Sequence, residues 1–204
     1  FMDIPFALLD LDPSTINIAI KITYIISFDL IFLSLLLFMY HKDLITDWKD
    51  YKKNYKTYID EGIKYWIIGL IIMVCTNTII SIFTPSSMSN NETAIRDLID
   101  RVPIYMMFAT VIFAPLTEEL IFRKLFRDMF NTKWIFIIMS GLIFGGLHVV
   151  SNFNNFYELL YIIPYGALGS AFAYLYYKTN NIYNSIIMHA IHIGSLVIIF
   201  LLTK

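Results

Sequence analysis

Apolar runs long enough to cross a bilayer recur along this chain, and they restrict its fold more than any other feature. A spanning helix needs about 20 mostly apolar residues. Six stretches meet that length: about Ile16 to Tyr40, Tyr65 to Phe83, Val102 into the Glu118-Glu119 motif and beyond, Trp134 to Val150, Tyr157 to Tyr177, and Ile182 to Leu202. The expected fold is therefore all-α: an integral membrane helical bundle of about six transmembrane helices, organised as a single transmembrane domain over 1–204. Composition agrees, with 58% hydrophobic and 15% charged residues. Soluble domains average roughly 45–50% apolar and about 25% charged. A net charge of −1 gives no electrostatic case for nucleic acid. The single cysteine, Cys75, excludes an intrachain disulfide, and its apolar surroundings predict a buried packing residue. Heavy use of Ile, Asn, Lys and Tyr fits an AT-rich bacterial genome.

Basic residues predict the orientation. Six lysines fall between Lys42 and Lys64, four cations between Arg123 and Lys133, and one at Lys178, eleven of the chain's fifteen. Cytoplasmic loops carry such an excess. The expectation is a multi-pass protein of the cell membrane with both termini outside. The remaining side carries Arg96, Arg101, Lys204 and an acidic start with Asp3, Asp10 and Asp12. Between about 42 and 64 the lysines alternate with Trp48, Tyr51, Tyr55 and Tyr58. Such a segment suits the surface of an anionic lipid bilayer; a solvated charged loop explains it equally well.

Within the apolar runs stand six polar candidates: Glu118, Glu119, Arg123, His148, His189 and His192. An ionised carboxylate in hydrocarbon costs several kcal/mol, so intramembrane glutamates mark a functional site by default. Arg123 follows Glu119 at i,i+4 and can face it along one helix, which predicts an ion pair. Glu118 has no such local partner. If the third and fourth spans turn near Asn131–Thr132, Glu118 lies 13 residues before the turn and His148 16 after it. At the helical rise those are ~20 Å and ~24 Å, a similar depth. This needs the third span to continue past Pro115, where a kink is expected. Gly141-Leu-Ile-Phe-Gly145 is a small-xxx-small pattern that lets helices approach closely. His189 and His192, three apart, share a face of the last span. Lys21 and Asp29 in the first span are expected to pair or to reach an interface.

Two kinds of hydrolysis fit these residues. A glutamate and a histidine sharing a water form a general-base pair for attack on a carbonyl, with a second histidine donating to the oxyanion. Alternatively Glu118, His148 and His189 hold Zn²⁺ with water in the fourth position. Serine catalysis has no support, because Ser140, Ser151, Ser170, Ser185 and Ser195 lie in no nucleophile setting.

The motifs together resemble a known family. Glu118-Glu119-Leu-Ile-Phe-Arg123 fits E-E-x-x-x-R, Phe144-Gly-Gly-Leu-His148 fits F-x-x-x-H, and His189 opens a third motif, H-x-x-x-N. In this order they resemble the CPBP family, also called the Abi or type II CAAX prenyl protease family, over a motif-bearing half of about 102–202. The resemblance implies a helical intramembrane endopeptidase. It assigns Glu118 and His148 to water activation, Glu119 and Arg123 to organising the site, and His189 to oxyanion support, with Phe144 packing beside the histidine. It favours a metal-independent glutamate protease over a zinc enzyme, because a complete ligand set here would have to borrow the base. Ile193 stands where the family has Asn; His192 or Asn184 are the available replacements. The implied substrate is a membrane-associated peptide or protein, in peptide maturation, signalling or bacteriocin self-immunity. The alternative is a non-catalytic immunity or scaffold protein that keeps the fold. A transporter would show inverted repeats or paired broken helices, and the sequence has neither.

Overall fold

The computed structural model describes residues 6, 9, 12, 16–85 and 88–203. The acidic Asp3 and Asp10 and the terminal Lys204 lie outside the described residues. Among the described residues six helices follow one another: α1 Ile18–Phe83, α2 Asn90–Arg101, α3 Pro103–Met129, α4 Lys133–Val150, α5 Phe156–Thr179 and α6 Ile182–Leu202. All but α2 are long and apolar enough to cross a membrane. Their outward faces are apolar too: Phe83 is 80% and Ile104 86% exposed. Lipid, not water, is the solvent that tolerates such surfaces.

The chain divides into two compact units, Phe1–Leu44 and Ile45–Lys204. In the first, the Lys21 ammonium lies 5.7 Å from the centre of the Phe6 ring, so this cation in the apolar run has an aromatic partner. The second unit holds all six candidate site residues.

Helix α1 takes in the first two apolar runs and the basic segment between them, its two helical parts meeting at a kink. The segment at about 42–64 is helical, which corrects its reading as a solvated loop. The stretch contains no proline, and its lysines are good helix formers. Asn54 marks the one break in helical geometry, with φ −113° and ψ 18°. There Asn54 Nδ2 donates to Asp50 Oδ1 at 2.7 Å, and the Tyr58 hydroxyl donates to the same carboxylate. Asp47 and Asp50 also take hydrogen bonds from the α5–α6 turn: Ile182 N–H to Asp47 Oδ2 at 3.1 Å and Asn181 Nδ2 to Asp50 Oδ2 at 3.1 Å. Cys75 corrects a second expectation, because it is exposed. A small apolar thiol on a lipid-facing helix surface incurs no penalty for leaving the core.

Helix α2 begins at an N-cap, Ser89, whose Oγ accepts from the Glu92 N–H at 3.2 Å. Pro103 then starts α3 at a first-turn position, where its missing N–H leaves no gap. Helix α3 runs on past Pro115, as the depth argument required, and it does so by widening. Two π-type stretches, Ala109–Phe113 and Leu120–Leu125, flank the short α-segment Ala114–Glu119. Such bulges in a helix are often found at functional sites.

Helices α4 and α5 meet through glycine. A Cβ added at Gly141 would lie 2.0 Å from Ser170 Oγ, and one at Gly145 would lie 2.6 Å from the Ile162 carbonyl. The small-xxx-small pattern thus brings the α4 backbone against α5. Asn180, with φ 49°, ends the α5 stretch, and the Asn181 side chain caps α6 by accepting from the Tyr183 N–H.

Candidate active site

The π-type stretch that contains Arg123 turns its guanidinium inward, where it is fully buried. A buried arginine needs each face and edge answered. Arg123 Nη2 donates to Glu119 Oε1 at 3.1 Å, and Nε lies 2.9 Å from Glu119 Oε2. The second contact is an ion contact rather than an aligned hydrogen bond. Nη1 donates to Ser140 Oγ on α4 at 2.7 Å, and Ser140 passes its own proton to the Phe122 carbonyl at 2.7 Å. The Phe144 ring covers the guanidinium at 5.2 Å. Ser140 is therefore a structural link from α3 to α4, a role invisible in sequence because its partner lies 17 residues away.

Glu119 is also fully buried and has a second partner. His189 of α6 places Nδ1 3.0 Å from Glu119 Oε1. A carboxylate can only accept, so Nδ1 carries the proton. The other nitrogen, Nε2, then points to Glu118, 3.9 Å from its Oε2. His189 thus stands between the two glutamates. Its ring is fixed by Phe172 at 5.3 Å and Phe144 at 5.8 Å.

His148 approaches from α4. Its Nδ1 lies 2.8 Å from the Phe144 carbonyl, an acceptor, so this nitrogen is protonated and Nε2 keeps its lone pair. The ring packs on Phe144 at 4.4 Å and stacks on Tyr165 at 4.9 Å. Phe144 touches His148, His189 and Arg123 alike, so it is the common spacer of the cluster. Unlike Glu119, His148 is only half-buried.

His192 faces elsewhere, where its Nδ1 accepts from the Trp66 indole N–H of α1 at 3.3 Å. Asn184, the other replacement for the motif asparagine, is fully buried, and both its amide atoms lack a hydrogen-bond partner among the described residues. It lies against α1, since a Cβ at Gly62 would come within 2.8 Å of its Oδ1. Among the described residues no three His, Cys, Asp or Glu side chains are grouped to hold a metal ion.

Together these features define a class: a multi-pass helical membrane protein with a buried Glu-Glu-Arg-His cluster. Residues 100–193 match the family model described as "Type II CAAX prenyl endopeptidase Rce1-like". Among curated proteins the chain is 33% identical over 104 residues to "Putative membrane peptidase YdiL" of Bacillus subtilis (strain 168), covering 50% of this chain and 39% of that protein. It is 26% identical over 153 residues to "UPF0177 protein YxdF" of Lactococcus lactis subsp. lactis (strain IL1403), covering 72% of this chain and 82% of that one. No solved structure gives a significant match.

Proposed function

We propose that the protein is an intramembrane endopeptidase that hydrolyses a peptide bond of a membrane-associated peptide or protein. The observation that carries this reading is the unequal surroundings of the two glutamates. Glu119 is consumed by Arg123 and His189, whereas Glu118 and His148 Nε2 keep acceptor capacity at the edge of the cluster. A water between them would donate one proton to the Glu118 carboxylate and the other, as a hydrogen bond, to His148 Nε2. General-base action of this kind contributes about 10²–10⁴-fold. The water oxygen attacks the carbonyl carbon, and the C–O⁻ that forms accepts from the Nε2–H of His189 held as an imidazolium between the two glutamates. Collapse breaks the C–N bond. The proton held by Glu118 goes to the leaving nitrogen, the remaining hydroxyl proton passes through His148 Nε2 to the same nitrogen, and the products are a carboxylate and an ammonium. His192 would support the oxyanion only after leaving Trp66, so His189 takes that role here. Arg123 and Glu119 fix His189 and touch no reacting atom.

The lysine and arginine asymmetry supports an orientation with the basic stretch of α1, the α3–α4 turn and Lys178 toward the cytoplasm and both termini outside. Bacterial peptide maturation, signalling or bacteriocin self-immunity are the roles that suit such a peptidase.

The test reconstitutes the full chain in liposomes with single-span peptides randomised across the span, and reads new termini by mass spectrometry. Wild type is expected to produce termini that Glu118→Gln and His148→Gln do not, and EDTA treatment is expected to leave them unchanged. Identical termini from wild type and both variants would overturn the peptidase reading in favour of a non-catalytic immunity or scaffold protein. Loss of cleavage on chelation, restored by Zn²⁺, would overturn the metal-free mechanism.

A further inference from the structure

His148 is held at two points, and the reaction accounts for only one of them. The hydrogen bond from Nδ1 to the Phe144 carbonyl selects the tautomer. It does not select the ring plane, because the torsion at an aromatic ring is broad. The plane is set by Tyr165 of α5, whose ring lies 4.9 Å from the imidazole at 25°. Tyr165 is itself anchored. Its hydroxyl shares a 2.8 Å hydrogen bond with Ser89 Oγ and receives a longer one, 3.4 Å, from Asn91 Nδ2. Ser89 is the N-cap of α2 and is buried, so its position is fixed by the helix it starts. That helix start is fixed in turn by Glu158, 1% exposed, whose Oε2 accepts from the Asn90 N–H at 3.2 Å. A carboxylate at the first turn of a helix is favoured by the dipole.

The geometry points to Tyr165 as a positioning residue for His148, with Ser89 holding Tyr165 in place. The beginning of α2, which contributes no reacting group, thereby sets the direction in which His148 presents Nε2. Nothing in E-E-x-x-x-R or F-x-x-x-H carries this link, since Ser89 and Tyr165 lie 76 residues apart. The inference rests on the peptidase reading for its catalytic consequence, and on the ring contacts alone for the coupling itself.

The coupling is read by NMR of the full chain in nanodiscs with ¹⁵N,¹³C-labelled histidine. Four histidines are present, and the His148 signals are assigned by their loss in His148→Gln. In wild type His148 is expected as a single species protonated at Nδ1. Tyr165→Phe and Ser89→Ala should each shift or broaden the His148 signals while those of His189 and His192 stay in place. Because the two changes share the Ser89–Tyr165 hydrogen bond, the double variant should move His148 by less than the sum of the two single ones. In the liposome assay with randomised single-span peptides, Tyr165→Phe should lower kcat about tenfold and Tyr165→Leu about a hundredfold, with KM unchanged. Unmoved His148 signals in Tyr165→Phe and Ser89→Ala would overturn the inference, as would a common shift of all four histidines with a lowered melting temperature, which marks general loosening. If His148 responds as stated but wild type cleaves nothing, the peptidase reading fails and the coupling stands. If wild type cleaves but His148 does not respond, the coupling fails and the peptidase reading stands.

Discussion

Glu119 and Glu118 are neighbours in the chain and face two different regions of the bundle. Around Glu119 every strong group is answered: Arg123 on the same helix, Ser140 from α4, His189 from α6 and the Phe144 face over the guanidinium. Around Glu118 the charged groups are His189, whose Nε2 lies 3.9 Å from its Oε2, and Arg123, which is committed to Glu119, while His148 is held through Nδ1 at the Phe144 carbonyl. A fully answered buried network rigidifies, whereas an under-answered one leaves capacity for a substrate or a water. In the proposed peptidase the first region builds the site and the second uses it. Placing both on one short α-segment between two π-type stretches lets consecutive residues face different ways.

Variants that separate folding from activity can break or sharpen this contrast. The largest effect is expected for Arg123→Met. Removing one partner of a buried pair leaves the other uncompensated, at about 3–5 kcal/mol. Unfolding in mixed micelles should register that loss, with activity lost alongside it. Next comes Glu118→Gln, expected to reduce cleavage about 10²–10⁴-fold while the unfolding midpoint stays near wild type. An equal loss of stability there would erase the distinction between the two regions. Ser140→Ala leaves an Arg123 N–H and the Phe122 carbonyl without their partner, and should destabilise by about 1–3 kcal/mol in the same unfolding assay. Smallest is Trp66→Phe, which removes the donor to His192 and should lower stability by about 1 kcal/mol with kcat unaltered. A collapse of kcat in Trp66→Phe would move His192 into the chemistry.

Much of this was legible in the sequence, and the physical reasons for success and failure differ. Apolar runs marked the spans because length and hydropathy are local properties. The Glu119–Arg123 pair was legible because i,i+4 spacing forces proximity on a helix. The glycine pattern of α4 indicated close approach without naming Gly166 and Ser170 of α5 as its neighbours. Three features stayed hidden. The helical state of the 42–64 segment did, because lysine and tyrosine there suit a solvated loop as well as an amphipathic helix. The π-type stretches did, because a bulge is a compromise between Pro115, the inward Arg123 and the packing of α6, and only the first of these is local. The long-range links Ser140 to Arg123, Tyr165 to Ser89 and Trp66 to His192 did, because no spacing rule connects residues so far apart. Cys75 was misplaced for a related reason: in a membrane helix an apolar residue faces lipid as readily as protein.

In the proposed mechanism Glu118 takes a proton from a water that then enters the product. The most direct measurement is peptide cleavage in H₂¹⁸O by the reconstituted full chain, with mass analysis of the new C-terminus. One ¹⁸O in the newly formed carboxylate under single-turnover conditions, with cleavage falling about 10²–10⁴-fold in Glu118→Gln, is the predicted result. Unlabelled product, or labelled product formed at the wild-type rate by Glu118→Gln, would contradict it.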